Sequence, residues 1–510
     1  MLIIAKLAPG REAYYERSVA AGLDDYDAGR GESPGVWVGR GAASLGLEGV
    51  VSDGQLGALI RGLDPATHQR LRRHPKARVV TRARENPEGG ERRAVQRRLS
   101  AVAGFDLVFS APKSVSILHA LGEQESRRAT GAAHLAAWQA SLAYLEEEAC
   151  VIRRGAQGLL HEHAQGFVAA AYEHRTSRAQ EPHLHTHVIA ANLARSPSDG
   201  KWRALDGGAI LRHYKRAASY LYQAHLRFEL SRLLGVEWEA PVKGSAELKG
   251  VSRAVIDEFS TRSRQLAGRM DEKGLASFAA ARLAGLETRQ PKQQVDLGQL
   301  REDWSARAAE HGLETRSLAR LVHRSRYREP TPRELARLAE RLLGQDGLTE
   351  PETVFSEPEL VMAWAEGIAQ GAPAERIRAL TGRFLEIDRL ERVGVQATPG
   401  RPARYSAAAL AEGNAPTLED RVWFAPRRDH APIGRSAQGR SAPEPRRPAL
   451  GGLREDPERT FEQDRREPGH SETARRNLSD QALTTSPARD RRSPDPPPPA
   501  RERRGSELGL

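Results

Sequence analysis

Residues 161–193 read HEHAQGFVAAAYEHRTSRAQEPHLHTHVIAANL, and the periodicity of this stretch decides the fold. In HLHTH the histidines His183, His185 and His187 alternate, and because a strand has a period of two, all three point to one face of a sheet. The preceding run, QGFVAAAYEH, places Val168, Ala170, Tyr172 and His174 on one face, and the polar connector RTSRAQEP turns the chain back as a hairpin. His174 then ends its strand beside the start of the next, near His183 and His185. A cluster of neutral imidazoles without thiolate suits a divalent cation, and three ligands leave positions open for substrate oxygens. Packing or solvent-facing histidines are the plain alternative, against which four histidines at period two weigh heavily.

Upstream, GFDLVFSAPKSVSILHAL puts Phe105, Leu107 and Phe109 on one face of a strand and Asp106, Val108 and Ser110 on the other. An acidic residue on an otherwise apolar strand is paired or functional; Asp106 could orient a metal-bound histidine or accept a nucleophile's proton. Ser110 and Lys113 match the S-x-x-K of serine acyl-enzymes, but no S-D-N or K-T-G accompanies them. Ser110 is therefore expected to cap the following helix, with Pro112 in its first turn, and Lys113 to touch phosphate or solvent. At the amino end, EAYYERSVAAGLDDYDAG concentrates Tyr14, Tyr15 and Tyr26, three of ten tyrosines. A tyrosine with a pKa of about 10 attacks phosphorus only when a base or a metal-bound phosphate assists it.

The 510 residues carry 78 Lys+Arg against 67 Asp+Glu, a net charge of +11. Residues 425–510 hold 18 basic and 14 acidic side chains, and residues 61–100 hold 12 basic and 4 acidic, so that one forty-residue stretch accounts for the excess of the body. Arg72, Arg73, Lys76, Arg78, Arg82 and Arg84 in it are candidates for a DNA backbone, where each neutralised phosphate releases a counterion. The single cysteine, Cys150, excludes a disulfide scaffold and multi-cysteine metal sites. No run reaches the roughly 18 apolar residues of a membrane helix, so no membrane insertion and a cytoplasmic location are expected.

Strands (105–110, 165–174, 183–193) between helical patterns (124–155, 213–235) make residues 1–315 an α/β, or α+β, core. Residues 330–412 read as a small, mostly helical, winged-helix-like module: an amphipathic helix opened by Thr331-Pro332, helical patterns over 348–371 and 373–388, and a closing hairpin over 392–406. Residues 420–510, rich in Pro and Arg with one aromatic beyond 424, are expected to be disordered.

Five stretches in order, AYYERSVAAGLDDYD (13–27), WVGRGAASLGL (37–47), GFDLVFSAPKSVSIL (104–118), EHRTSRAQEPHLHTHVIAANL (173–193) and GKWRALDG (200–207), resemble conjugative relaxases of the MobF (TrwC/TraI) class. The resemblance covers about residues 1–315 and implies an HUH endonuclease fold: a central antiparallel, palm-like sheet flanked by helices, with a catalytic core over about 1–240 and a helical extension over 241–315. It implies nicking of one DNA strand at a transfer origin, oriT, with Tyr14 as nucleophile, a 5′-phosphotyrosyl link and a free 3′-hydroxyl. Tyr26 would serve a second strand transfer, with Tyr15 a further candidate. His174, His185 and His187 would hold the metal (Mg, Mn, Zn, Ni or Co), and Asp106 would hold a ligand histidine and help to deprotonate the tyrosine. Single-stranded or supercoiled oriT DNA, relaxosome accessory proteins and a type IV coupling protein are the implied partners.

Three features depart from the family pattern. Asp27 stands where many members carry a fourth tyrosine. His183 occupies a position usually polar and non-liganding, as an outer group or a competing ligand. No G-x-x-x-x-G-K-[ST] occurs, so the helicase of longer members, and ATPase activity with it, is not expected. A rolling-circle replication initiator of the same chemistry and a catalytically inactive DNA-binding regulator are the rival readings. A histidine-metal hydrolase of small molecules explains neither the tyrosines nor the basic stretch.

Overall fold

In LIIAKL the residues Leu2, Ile4 and Leu7 are buried, and the segment forms the first strand, β1 (Leu2–Leu7), in the computed structural model. The structure describes residues 1–9, 34–72, 78–84, 93–99, 101–155, 158–177, 179–261, 264–265, 297–344, 347–348, 354–386, 390–393 and 399–406. After β1 come β2 (Val36–Val38), the short helices α1 (Arg40–Ala43) and α2 (Gln55–Ile60), a ribbon of β3 (Arg78–Arg84) and β4 (Arg93–Leu99), and β5 (Gly104–Ser110). Two helices follow, α3 (Lys113–Leu121) and α4 (Gln124–Glu148), then the small hairpin β6 (Val151–Arg154) and β7 (Leu160–His163). The histidine-bearing pair is β8 (Ala169–Thr176) and β9 (Pro182–Ala191), and β10 (Ala194–Arg195) pairs with β11 (Trp202–Arg203). A π-helical turn, Ala209–Tyr214, opens α5 (Lys215–Leu234), followed by α6 (Arg253–Glu258), α7 (Leu297–Glu310) and α8 (Thr315–Ala319).

The central sheet runs β1-β5-β9-β8-β2, and every neighbouring pair is antiparallel. One face, with Phe105, Leu107, Phe109, Leu184 and Val188, packs on α3, α4 and α5. The other buries Trp37, Val168, Tyr172 and Ile189 against Leu56, Leu59 and Ile60 of α2. On α4, Trp138, Leu142 and Leu145 are at most 4% exposed, and each contributes about 1.5–3 kcal/mol of burial. The fold is thus the mixed α/β architecture with an antiparallel central sheet that the sequence leads one to expect. Among the described residues no helix is long and apolar enough to cross a membrane.

The helix expected over 124–155 stops at Glu148, because Val151 and Ile152, β-branched, pair with His163 and Glu162 instead. Ser110 does not cap α3; Pro112 does, and Ser110 ends β5 opposite His185. The WVGRG segment is held by one carboxylate. Glu146 Oε1 accepts from the backbone N–H of Arg40 (2.9 Å) and Phe167 (2.7 Å). A Cβ on Gly41 would meet the Gly166 carbonyl oxygen at 2.6 Å, so a glycine is required there.

Beyond residue 330 the order is α9 (Pro332–Leu343), β12 (Val354–Ser356), α10 (Glu357–Gly367), α11 (Ala374–Leu385), β13 (Glu391–Val393) and β14 (Arg404–Ser406), with a sheet β12-β14-β13. Thr331 and Glu334 form the capping box that starts α9. Helix, strand, two helices and two strands in that order is the winged-helix plan. The helical pattern read over 348–371 is in part β12, since Val354 and Phe355 pair with Ser406 and Tyr405.

The module packs on α5 around one buried cation. Arg227, 1% exposed, donates to the carbonyls of Ala365 (2.6 Å), Ala369 (3.1 Å) and Gly244 (2.8 Å), which satisfies the C-terminal end of α10. Burial pulls its pKa down to about 10, so it remains charged at neutral pH. The turn before α11 lies so close to α5 that a Cβ on Gly371 would stand 2.0 Å from the Ala224 carbonyl oxygen. Replacing Arg227 by Met strands these carbonyls and is expected to lower stability by about 3 kcal/mol in urea unfolding followed by tryptophan fluorescence. A loss below about 1 kcal/mol would show that the carbonyls find other partners.

Candidate metal centre

The register of three strands builds the centre. His174 of β8 lies directly opposite His185 of β9, and Tyr172 opposite His187. On the other side of β9, Ser110 lies opposite His185 and Val108 opposite His187. All of these side chains, with Asp106, belong to the sheet face away from α3, α4 and α5. A β-bulge after His174 lets the hairpin close at Thr176–Pro182 and ends the regular pairing at the rim of the site.

The three rings stand 5.1–5.3 Å apart by their centroids: His174 to His185, His174 to His187, and His185 to His187. One nitrogen from each lies within 4.8 Å of the others, close enough to share a cation. His187 Nδ1 is 2.8 Å from Oδ1 of Asp106, a residue only 6% exposed. His185 Nδ1 donates to the backbone carbonyl of His183, also at 2.8 Å. With oxygen acceptors at Nδ1 of both rings, Nε2 is the nitrogen left to face a metal. That is the outer bonding pattern a metal-binding histidine needs, and the all-imidazole donor set fits a divalent cation. His183 stacks on His185 with centroids 4.4 Å apart, and burial with the neighbouring cationic groups pushes its pKa well below the usual value. Among the described residues it is not one of the three that converge.

Lys113 lies 2.8 Å from the Pro182 carbonyl, to which its Nζ donates at the start of β9. Burial lowers its pKa, while the charges of Glu181 and Glu247 act the other way. The Arg72 guanidinium bonds to the Asn192 carbonyl past the end of β9, so it ties a loop to the sheet, and burial lowers its pKa too. Arg78, Arg82 and Arg84 sit at alternate register positions of β3, opposite Leu99, Val95 and Arg93 of β4. Tyr14, Tyr15, Tyr26, Asp27, Arg73, Lys76 and the tail over 420–510 lie outside the described residues.

Sequence reasoning missed His134. It is fully buried on α4, with Nδ1 2.8 Å from the Tyr222 hydroxyl and Nε2 2.8 Å from Thr186 Oγ1. Burial pushes its pKa well down, so the ring is neutral. Thr186 stands between His185 and His187 and faces the opposite side, so this bridge braces β9 from behind. The signal in the sequence was a single histidine within the apolar run GAAHLAAW, which periodicity assigns to a core face without naming its partners.

A family model described as TrwC relaxase matches residues 8–311. The chain is 32% identical over 292 residues to the multifunctional conjugation protein TraI of Escherichia coli strain K12, and 30% identical over 292 residues to a second Escherichia coli TraI. These matches cover 55% of this chain and only 15% of the relatives' length. Among solved structures, the chain is similar to the conjugative relaxase TrwC in complex with oriT DNA, metal-free (28% identity, TM-score 0.49) and metal-bound (30%, 0.49). Both likenesses cover 62% of this chain and all of the other. With a family model spanning more than half of its length, the chain belongs to the TrwC relaxase family.

Proposed function

We propose that the chain is a conjugative relaxase that cuts and rejoins one DNA strand at a transfer origin by tyrosine transesterification, with residues 1–315 as its relaxase domain. The observation that carries the reading is the His174, His185 and His187 cluster with His187 braced by Asp106, in a chain of the TrwC relaxase family. A divalent cation held there would act as a Lewis acid on the scissile phosphate oxygens.

The chain's own residues do the rest. Tyr14 Oη forms the new bond to phosphorus as the phosphorus–O3′ bond breaks; the phenol's proton leaves to a base and the departing oxygen ends as a 3′-hydroxyl. The bond energy is kept in the phosphotyrosyl link, so the reverse reaction rejoins the strand without ATP. Asp106 fixes the His187 ring, and its carboxylate would assist deprotonation of the tyrosine. Tyr26 would take the second transfer. The ribbon β3–β4 suits a DNA major groove in shape, and its recurring arginines suit phosphates. Relaxosome proteins and a coupling protein complete the proposed setting.

Incubating the chain with a divalent metal and a nic-containing oligonucleotide should give a covalent adduct on a denaturing gel, and Tyr14→Phe should abolish it. If no divalent metal yields an adduct, the enzymatic reading falls and DNA binding alone remains. Asp106→Asn is expected to slow adduct formation or weaken metal affinity about 10–100-fold while leaving the thermal midpoint nearly unchanged. Isothermal titration with Mn²⁺ or Zn²⁺ should show one site in the wild type, lost in His185→Ala; an unchanged stoichiometry would move the metal elsewhere.

A further inference from the structure

Residues 316–341 carry eight arginines against three glutamates, a second basic stretch masked in the net charge by acidic residues elsewhere. All eight, Arg316, Arg320, Arg324, Arg326, Arg328, Arg333, Arg337 and Arg341, are exposed. Arg316 pairs with Glu314 and Arg328 with Glu334; among the described residues the other six make no ion pair. The backbone that presents them is pinned. The N–H groups of Arg324 and Ser325 donate to the Gly235 carbonyl at 3.0 Å, and Tyr327 packs edge-on against Phe228 with centroids 5.0 Å apart.

On α9, Arg333, Arg337 and Arg341 follow one another at intervals of four, a slanting stripe with about 6 Å of rise per step. Beside it runs a groove of about 360 Å³ lined by Leu335, Leu338, Ile368 and Ala369 together with Arg337, Arg341 and the Arg328–Glu334 ion pair. In a winged helix, α11 would be the helix offered to DNA, yet here it is committed to the core. Ile377, Leu380 and Phe384 are buried, and Arg378 is paired with Glu147 and Glu148 of α4. Among the described residues, the densest run of exposed arginines on the module lies on α9 and its approach.

We infer that α9 and residues 320–328 form a second single-stranded-DNA contact, separate from the metal centre, in which arginines take successive phosphates and the apolar groove takes an unstacked base. Spaced cations beside an apolar slot match a strand of phosphates and bases better than they match a duplex, whose bases are stacked inward. The inference rests on the reading of the chain as a DNA-acting protein but not on its nicking chemistry.

The test is fluorescence anisotropy of the full chain with labelled oligo-dT in EDTA, across a salt series. The triple substitution Arg333→Ala, Arg337→Ala, Arg341→Ala should flatten the slope of log K against log salt by about 2, at roughly 0.7 for each phosphate left without its arginine. The corresponding triple Lys variant should keep the slope, and adduct formation on a short nic oligonucleotide should persist in both. An unchanged slope in a normally melting Ala variant overturns the inference. So does a loss confined to oligoglutamate, which would make the surface a dock for an acidic protein, or to duplex DNA. A slope change in a protein that makes no adduct would leave this surface standing and remove the nicking reading.

Discussion

The centre depends on the register between β8 and β9. With His174 opposite His185 and His187 one step along the same face, three imidazoles converge with no loop to position them. A shift of one residue in β9 would turn His185 and His187 toward the helices and leave Thr186 in their place. The neighbouring register, β5 with β9, is equally demanding, since only Asp106 two residues before Val108 reaches His187 Nδ1. Two pairings between three strands therefore set the three histidines, the Nδ1 contact of His187 and the position of the carboxylate together.

That register is guarded from the helical side. Thr186 is bonded to His134, and His134 to Tyr222, so the alternate residues of the ligand strand are keyed to α4 and α5. A neutral ring suits the task, because one nitrogen donates while the other accepts, and a charged one would lie unpaired among Phe109, Trp138 and Tyr222. At the other end of α4, Glu146 holds both the Arg40 turn and Phe167, and so fixes the chain entering β8. α5 carries the same rigidity outward. Arg227 binds the carbonyls that end α10, so the winged-helix elements share a continuous apolar core with the sheet. Within that core α11 buries Ile377, Leu380 and Phe384, while α9 leaves Arg333, Arg337 and Arg341 exposed.

Much of the centre was legible because its information is local. Period two in HLHTH and in FDLVFS needs no partner strand to put the three histidines on one face and Asp106 opposite Phe105 and Leu107. The turn chemistry of RTSRAQEP brings His174 back to His185. Reading failed where a segment's state depends on a partner far along the chain. Residues 151–154 continue a helical pattern but pair with 160–163, and 354–356 pair with 404–406; each is a strand only because another edge is there to receive it. Lys113 and Arg72 carry charge read from the sequence as suited to phosphate or solvent, yet each is bonded within the fold.

By itself the amino-acid sequence determined the order of the motifs, the face of each histidine and the class of metal that imidazoles without thiolate accept, because side-chain chemistry and strand periodicity are properties of short stretches. The family resemblance already singled out His174, His185 and His187; only the tertiary structure decided that these three converge, that Asp106 bonds to His187, and which arginines remain exposed. Those outcomes turn on distances of a few ångströms between residues as far apart as 81 positions, set by pairing and packing that no local pattern encodes.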